Sequence, residues 1–210
     1  MQSHDAISML MTMASMQEEH NAQVHPQWKE QGYEYYRAIW VECAEMLDHF
    51  GWKWWKNQEP DIDQVKLELV DIWHFALSEL IRSEQLHESL GAELANVEPI
   101  DSTPEIFREA IESLAISSLQ SRSFKMSDFT YAMRTLPMDL KELFALYVGK
   151  NVLNRFRQDH GYKEGSYRKL WAGREDNEHL IEILESISVE PEQTFDMLYQ
   201  QLEKRYSQEA

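Results

Sequence analysis

Apolar residues recur along this chain at three- and four-residue intervals, the period of a helix, while the alternation of a half-buried strand hardly appears. The first such run predicts a helix over Asp5 to Gln23. It ends before Pro26, because the residue preceding a proline is driven out of helical geometry. A second helix is predicted from Tyr33 to Phe50, closed by Gly51, and a third from Asp61 or Asp63 as N-cap to Leu90, where Gly91 would stop it. Ala92 to Thr103 reads as a linker. Ser102 or Thr103 with Pro104 behind it has the cap and first-turn chemistry of a new helix, and helices are expected over 104–121 and 128–135. A long helix follows from Met138 to Asp159, then a glycine-punctuated loop from Gly161 to Gly173, then two helices, the last starting at Pro191.

The expected fold is therefore all-α, a single-domain helical bundle over residues 1–210. With 7 Gly and 6 Pro in the chain, few positions interrupt periodic structure. No apolar run reaches the roughly 18–20 residues of a membrane span, and the N-terminal stretch lacks a basic region followed by a cleavage site. A soluble, cytoplasmic protein with no membrane partner is the expectation. The lone Cys43 cannot form an internal disulfide and suits a small buried hydrophobe.

A net charge of −17 argues against a nucleic-acid partner, which calls for a basic face. The charge is unevenly spread, however: Lys150 to Arg174 holds seven basic residues and two acidic ones. A small basic segment in an acidic protein suits a compact, highly charged anion.

The candidate chemistry lies in two acidic pairs. Glu42 with Glu45, and Glu68 with Asp71, stand at i,i+3, so each pair shares one face of its helix. Both helices are apolar on nearly every side, which predicts burial. A carboxylate carried inward costs several kcal/mol unless compensated, roughly the cost of an unpaired buried ion. No Lys or Arg stands at i±3 or i±4 of any of the four. A divalent cation compensates most economically, and all-oxygen ligands favour Mg²⁺ or Mn²⁺ over zinc or copper. Four carboxylates can hold more than one ion. The alternatives are a solvated acidic stripe, partners from other helices, or a carboxylate-bridged iron site. The last normally needs Glu-x-x-His pairs, of which only Asp71-x-x-His74 comes near.

Lys150, Asn154 and Arg157 recur at i, i+4, i+7 and present an ammonium, an amide and a planar fork on one helical face. Gly161 to Gly165 follows, where glycines let backbone N–H groups approach phosphate. A solvated basic stripe and an ordinary turn would use the same residues. Gln17 and Asn21, at i and i+4, offer amide donors and acceptors on one face, fit for a polar ligand edge or simply for an exposed polar face. Trp52, Trp54 and Trp55 could form a stacking wall or pack, and His74 beside Phe75 could be a core histidine.

The motif Glu42-x-x-Glu45, followed after 22 residues by Glu68-x-x-Asp71, resembles the metal-binding core of the all-α nucleotide pyrophosphohydrolases, the MazG-like superfamily. Gln17 with Asn21, the segments WVECAEMLDHFGWKWWK and KLELVDIWHF, and YVGKNVLNRFRQDHGYKEGSYRKLWAGREDN narrow the resemblance to the dimeric dUTPases. That resemblance implies metal-binding helices over about 33–90 and a phosphate-binding helix and loop over about 138–180. Glu42, Glu45, Glu68 and Asp71 would bind magnesium, with Glu45 accepting a proton from the attacking water. Lys150, Asn154, Arg157, Tyr162 and Lys163 would hold phosphate; Gln17, Asn21, Trp54, His74 and Phe75 would surround deoxyuridine. The implied activity is hydrolysis of dUTP, with dUDP as a further candidate, to dUMP by a homodimer, limiting uracil in DNA. Pyrophosphohydrolysis of another nucleotide, or a non-catalytic helical dimerisation module, are the competing readings.

Overall fold

The computed structural model describes residues 3–186 and 191–208. The described residues form helices α1 (Ser3–Val24), α2 (Tyr35–Phe50), α3 (Ile62–Arg82), α4 (Glu88–Ala95), α5 (Pro104–Ser121), α6 (Met126–Thr135), α7 (Leu140–Asp159), α8 (Asp176–Ser186) and α9 (Pro191–Gln208). A two-residue hairpin, β1 (Leu170–Trp171) with β2 (Arg174–Glu175), interrupts them. The fold is all-α, as the periodicity predicts. The chain gathers into two compact units, residues 1–144 and 145–210, and α7 runs from the first into the second. Among the described residues no helix is long and apolar enough to cross a membrane.

In the first unit α2 packs along α3 and α5, α5 on α6, and α1 on α3 and α4. The α2 stop is local chemistry: Gly51 adopts φ 91°, a conformation costly for other residues, and donates its N–H to the Leu47 carbonyl. The following loop is tied down by Gln58 Oε1, which accepts from the backbone N–H of Trp52 and Lys53. Arg108 donates from Nε and Nη2 to the Gly51 carbonyl. Asp61 then caps α3, accepting from the Gln64 N–H, and Thr103 caps α5 through the Ile106 N–H. The α3 side chains Leu67, Leu69, Val70, Ile72, Trp73 and Leu77 are fully buried, so this helix is enclosed on most sides, with Trp73 stacked on Phe129 at 5.0 Å.

Two expectations are corrected here. The third helix stops at Arg82, and Gly91 lies inside a separate helix, α4. A Cβ at position 91 would stand 3.1 Å from the Ile7 Cα, so the glycine serves close backbone approach of α4 to α1 and terminates nothing. The predicted linker accordingly begins after Ala95. The second correction concerns α2, which is half enclosed: Ile39, Cys43 and Met46 face inward, whereas Trp40, Val41, Ala44 and Glu45 are exposed. Its apolar residues populate two faces, and tertiary packing covers only one.

In the second unit α8 packs on α9 and on β2. The hairpin turn uses Ala172 and Gly173, both at positive φ, to reverse the chain over two residues. Trp171 is buried, donates from Nε1 to the Arg168 carbonyl and stacks on His179.

Candidate active site

Helices α2 and α3 bring Glu42, Glu68 and Asp71 together, each with a carboxylate oxygen within 4.8 Å of the others. Two turns of adjacent helices suffice for this, because i,i+3 spacing on α3 stacks Glu68 over Asp71 while α2 contributes Glu42 from the side. Burial, then the charges of Asp71 and Glu68, push the Glu42 carboxyl up to about 9 from an ordinary value of 4.5. Glu45 stands outside the triplet. It is exposed one turn further along α2, and its charge adds to the pressure on Glu42. A residue absent from the sequence reading joins here: His49 Nε2 lies 3.5 Å from Glu68 Oε1. Its spacing from Glu45, i+4, was the available signal. Cys43 is buried behind Glu42; burial, and then the Glu42 charge, push its thiol up to about 12, which suits an inert core residue.

A second constellation joins α1 to α3. Gln17 Nε2 donates to Asn21 Oδ1 at 3.1 Å and to Ser78 Oγ at 3.0 Å, and Asn21 Nδ2 donates to Ser78 Oγ at 2.9 Å. With its amide nitrogen so engaged, Gln17 turns Oε1 to His74 Nδ1 at 2.7 Å, so that nitrogen donates and a neutral ring keeps Nε2 as an acceptor. Ser78 Oγ donates in turn to the His74 carbonyl and also bonds the Tyr35 hydroxyl, whose pKa burial raises to about 12. Gln17, Asn21, His74 and Ser78 are all buried. The exposed-face alternative for Gln17 and Asn21 is thereby removed. Ser78 and Tyr35 were missed, although Ser78 stands at i+4 from His74 on the same face. Trp54 and Phe75 are not in this network. Trp54 is 89% exposed on the loop after α2, beside a cavity of about 650 Å³ that Trp52, Lys53 and Arg108 also line.

The second unit gathers the cationic residues. Lys150 is buried and donates from Nζ to Asn177 Oδ1 at 3.1 Å. Arg157 donates from Nε and Nη2 to the two oxygens of Asp176 at 2.8 Å each, and from Nη1 to Asn154 Oδ1 at 3.2 Å. Asp176 is fully buried and accepts a further bond from the Tyr167 hydroxyl at 2.9 Å. Burial alone would raise its carboxyl, but the Arg157 bonds and charge, with Tyr167 and Lys150, hold it below the usual range. Tyr162 and Lys163 are exposed on the loop after α7. Tyr167, Asp176 and Asn177 all lie in the segment YVGKNVLNRFRQDHGYKEGSYRKLWAGREDN, but their residue types alone assign them no role.

A helical frame that aims three carboxylates at one point, beside a buried amide–hydroxyl–imidazole network, defines a helical hydrolase with an acidic centre. The family model described as dUTPase matches residues 9–162, and the chain belongs to that all-α dUTPase family, whose activity is that of a dUTP diphosphatase. No curated protein matches the chain.

Proposed function

We propose that the chain hydrolyses dUTP, with dUDP as a further candidate substrate, releasing dUMP with the aid of Mg²⁺. The observation that carries this reading is the oxygen triplet of Glu42, Glu68 and Asp71 within 4.8 Å. The residues fit a divalent cation: the donors are all oxygens, and burial, then the charges of Asp71 and Glu68, drive Glu42 towards protonation, a cost that a cation offsets. Glu42, Glu68 and Asp71 would hold it, with Glu45 completing the set for a further ion; Mn²⁺ would substitute. When bound, such cations neutralise phosphate oxygens and acidify the attacking water. Glu45, being exposed, can meet that water and accept its proton. Lys150, Asn154, Arg157, Tyr162 and Lys163 take the phosphate charge. Gln17, Asn21 and His74 read the uracil edge, supported by partners that fix the orientation of every amide atom, while Trp54 and Phe75 supply aromatic surface. The work of this reaction, removal of dUTP from the DNA-precursor pool and supply of dUMP, suits a cytoplasmic protein.

Turnover of a panel of dUTP, dUDP, dCTP, dTTP and UTP with Mg²⁺, with Mn²⁺ and with a chelator tests the reading. The expected result is release of pyrophosphate from dUTP at least about tenfold faster than from dCTP, abolished by the chelator and restored by metal. A panel led by another nucleotide would replace the substrate, and no turnover at all would leave a binding module.

The protein acts as a homodimer. Support comes from α2 and the turn before it, where Tyr33, Trp40 and Val41 are 40%, 37% and 38% exposed and form an apolar stripe of the kind that a second copy covers. Light scattering at micromolar concentration is expected to give twice the chain mass of 24.9 kDa; a monomer mass would end this part of the reading.

A further inference from the structure

The bidentate pair between Asp176 and Arg157 does more than join two helices. Asp176 is fully buried at the first turn of α8, and both its oxygens are committed to the Nε/Nη2 edge of one guanidinium. The Tyr167 hydroxyl, from the loop before the hairpin, braces the same carboxylate. That leaves the plane of the guanidinium no rotational freedom, and it turns the Nη1 edge towards Asn154, one turn back on the same face of α7. Asn177, the next residue, accepts from Lys150 at 3.1 Å and from Arg157 Nη2 at 3.4 Å. Two consecutive residues of α8 therefore set the direction of two cationic side chains and, through Arg157, of the amide between them.

A lone buried ion pair adds little net stability over an apolar pair of the same shape. A fixed guanidinium plane, by contrast, suits an anion whose charge changes during reaction, because donors already in place need no reorganisation. We infer that Asp176, braced by Tyr167, is a positioning residue that orients Arg157 for the transferring phosphate group. The inference rests on the phosphate role proposed above for Arg157. Asp176 acts through Arg157, and its negative charge offsets part of the pull of that guanidinium on a ground-state triphosphate while fixing its geometry.

Asp176→Asn keeps the shape and one acceptor oxygen and removes the charge. Its kcat for dUTP, measured below its own melting temperature, is expected to fall about 10- to 100-fold, with KM unchanged or lower because the released guanidinium attracts anions more strongly. A purely structural role predicts a lower melting temperature but, for the folded enzyme, wild-type kcat and KM; that result overturns the inference, as does a raised KM with unchanged kcat. If Asp176→Asn does not fold, Tyr167→Phe, which retains the ion pair and removes only the brace, is expected to lose several-fold in kcat at constant KM. A kcat within twofold of wild type overturns it equally. A wild type that turns over no dUTP brings down the functional reading and this inference with it, whereas an active wild type beside an unimpaired Asp176→Asn removes the role of Asp176 alone.

Discussion

Glu42→Gln makes the metal-free protein more stable and the enzyme about a hundredfold slower or worse. The two effects share one cause. Glu42 is the carboxylate that burial and the neighbouring acids Asp71, Glu68 and Glu45 push up to about 9, so in the folded protein it keeps a proton that the unfolded chain releases near 4.5. Between those values the native state binds the extra proton, and metal-free stability must fall as pH rises, by at most about 1.4 kcal/mol per pH unit. Glutamine stands for the permanently protonated acid. At pH 7 it should restore on the order of 1–3 kcal/mol, allowing for the partial exposure of the site, or about 2–12 °C in melting temperature. Its amide donates where a cation needs an anionic oxygen, so turnover and the metal-induced rise in melting temperature fall together. Thermal melts of wild type and variant from pH 5 to 9, with chelator and with Mg²⁺, check this. A metal-free wild type whose stability rises steadily through pH 5–9 would contradict the assignment of the raised group, and near-normal turnover would remove Glu42 from the site.

Ser78→Ala is expected to be the most damaging loss of a single atom in the first unit. The hydroxyl is 1% exposed and accepts from Gln17 and Asn21 while bonding Tyr35 and the His74 carbonyl. Deleting it leaves buried amide donors on α1 and the Tyr35 hydroxyl on α2 without this partner and removes a bond to the His74 carbonyl on α3. With about 1–3 kcal/mol for each unsatisfied buried group, and some relief from rearrangement, the cost should be roughly 2–4 kcal/mol. For a chain of this size that is about 4–16 °C in melting temperature. The same change frees both amides, so the preference for dUTP over dCTP should shrink by at least about tenfold even where the protein stays folded. Melting curves with paired kcat/KM values decide it. A variant within 1 °C of wild type that also keeps its base preference would show that the network is an ordinary helix contact.

Local chemistry made several helix ends legible in the chain: Pro26, Gly51, Asp61 and Thr103 each act through their own backbone or cap, and the structure uses them so. Gly91 was misread because a glycine in sequence carries two meanings, chain reversal and close approach, and only a neighbouring helix distinguishes them. The carboxylate triplet was legible because i,i+3 spacing is a property of one helix. Which of the four acids would be left outside was not, since the exposure of Glu45 depends on which face of α2 the other helices cover. Ser78, Tyr35, Asp176 and His49 escaped for the same reason. Each is defined by a partner 19 to 61 residues away, and residue type alone does not reveal such pairings.

The glycine at position 91 also makes α1 a lever. Its fulcrum is the contact of α4 with the Ile7 backbone, and Gln17 lies ten residues further along, about 15 Å at the rise of an α-helix. Hydrogen bonds of 2.9 to 3.1 Å at the far end tolerate little travel. A methyl group at a position that carries no chemistry would shift the fulcrum by tenths of an ångström and detune the amide pair at the other end. A side chain at residue 91 is therefore expected to disturb the Gln17–Asn21–Ser78 hydrogen bonds three turns away along α1, although the residue itself touches none of them.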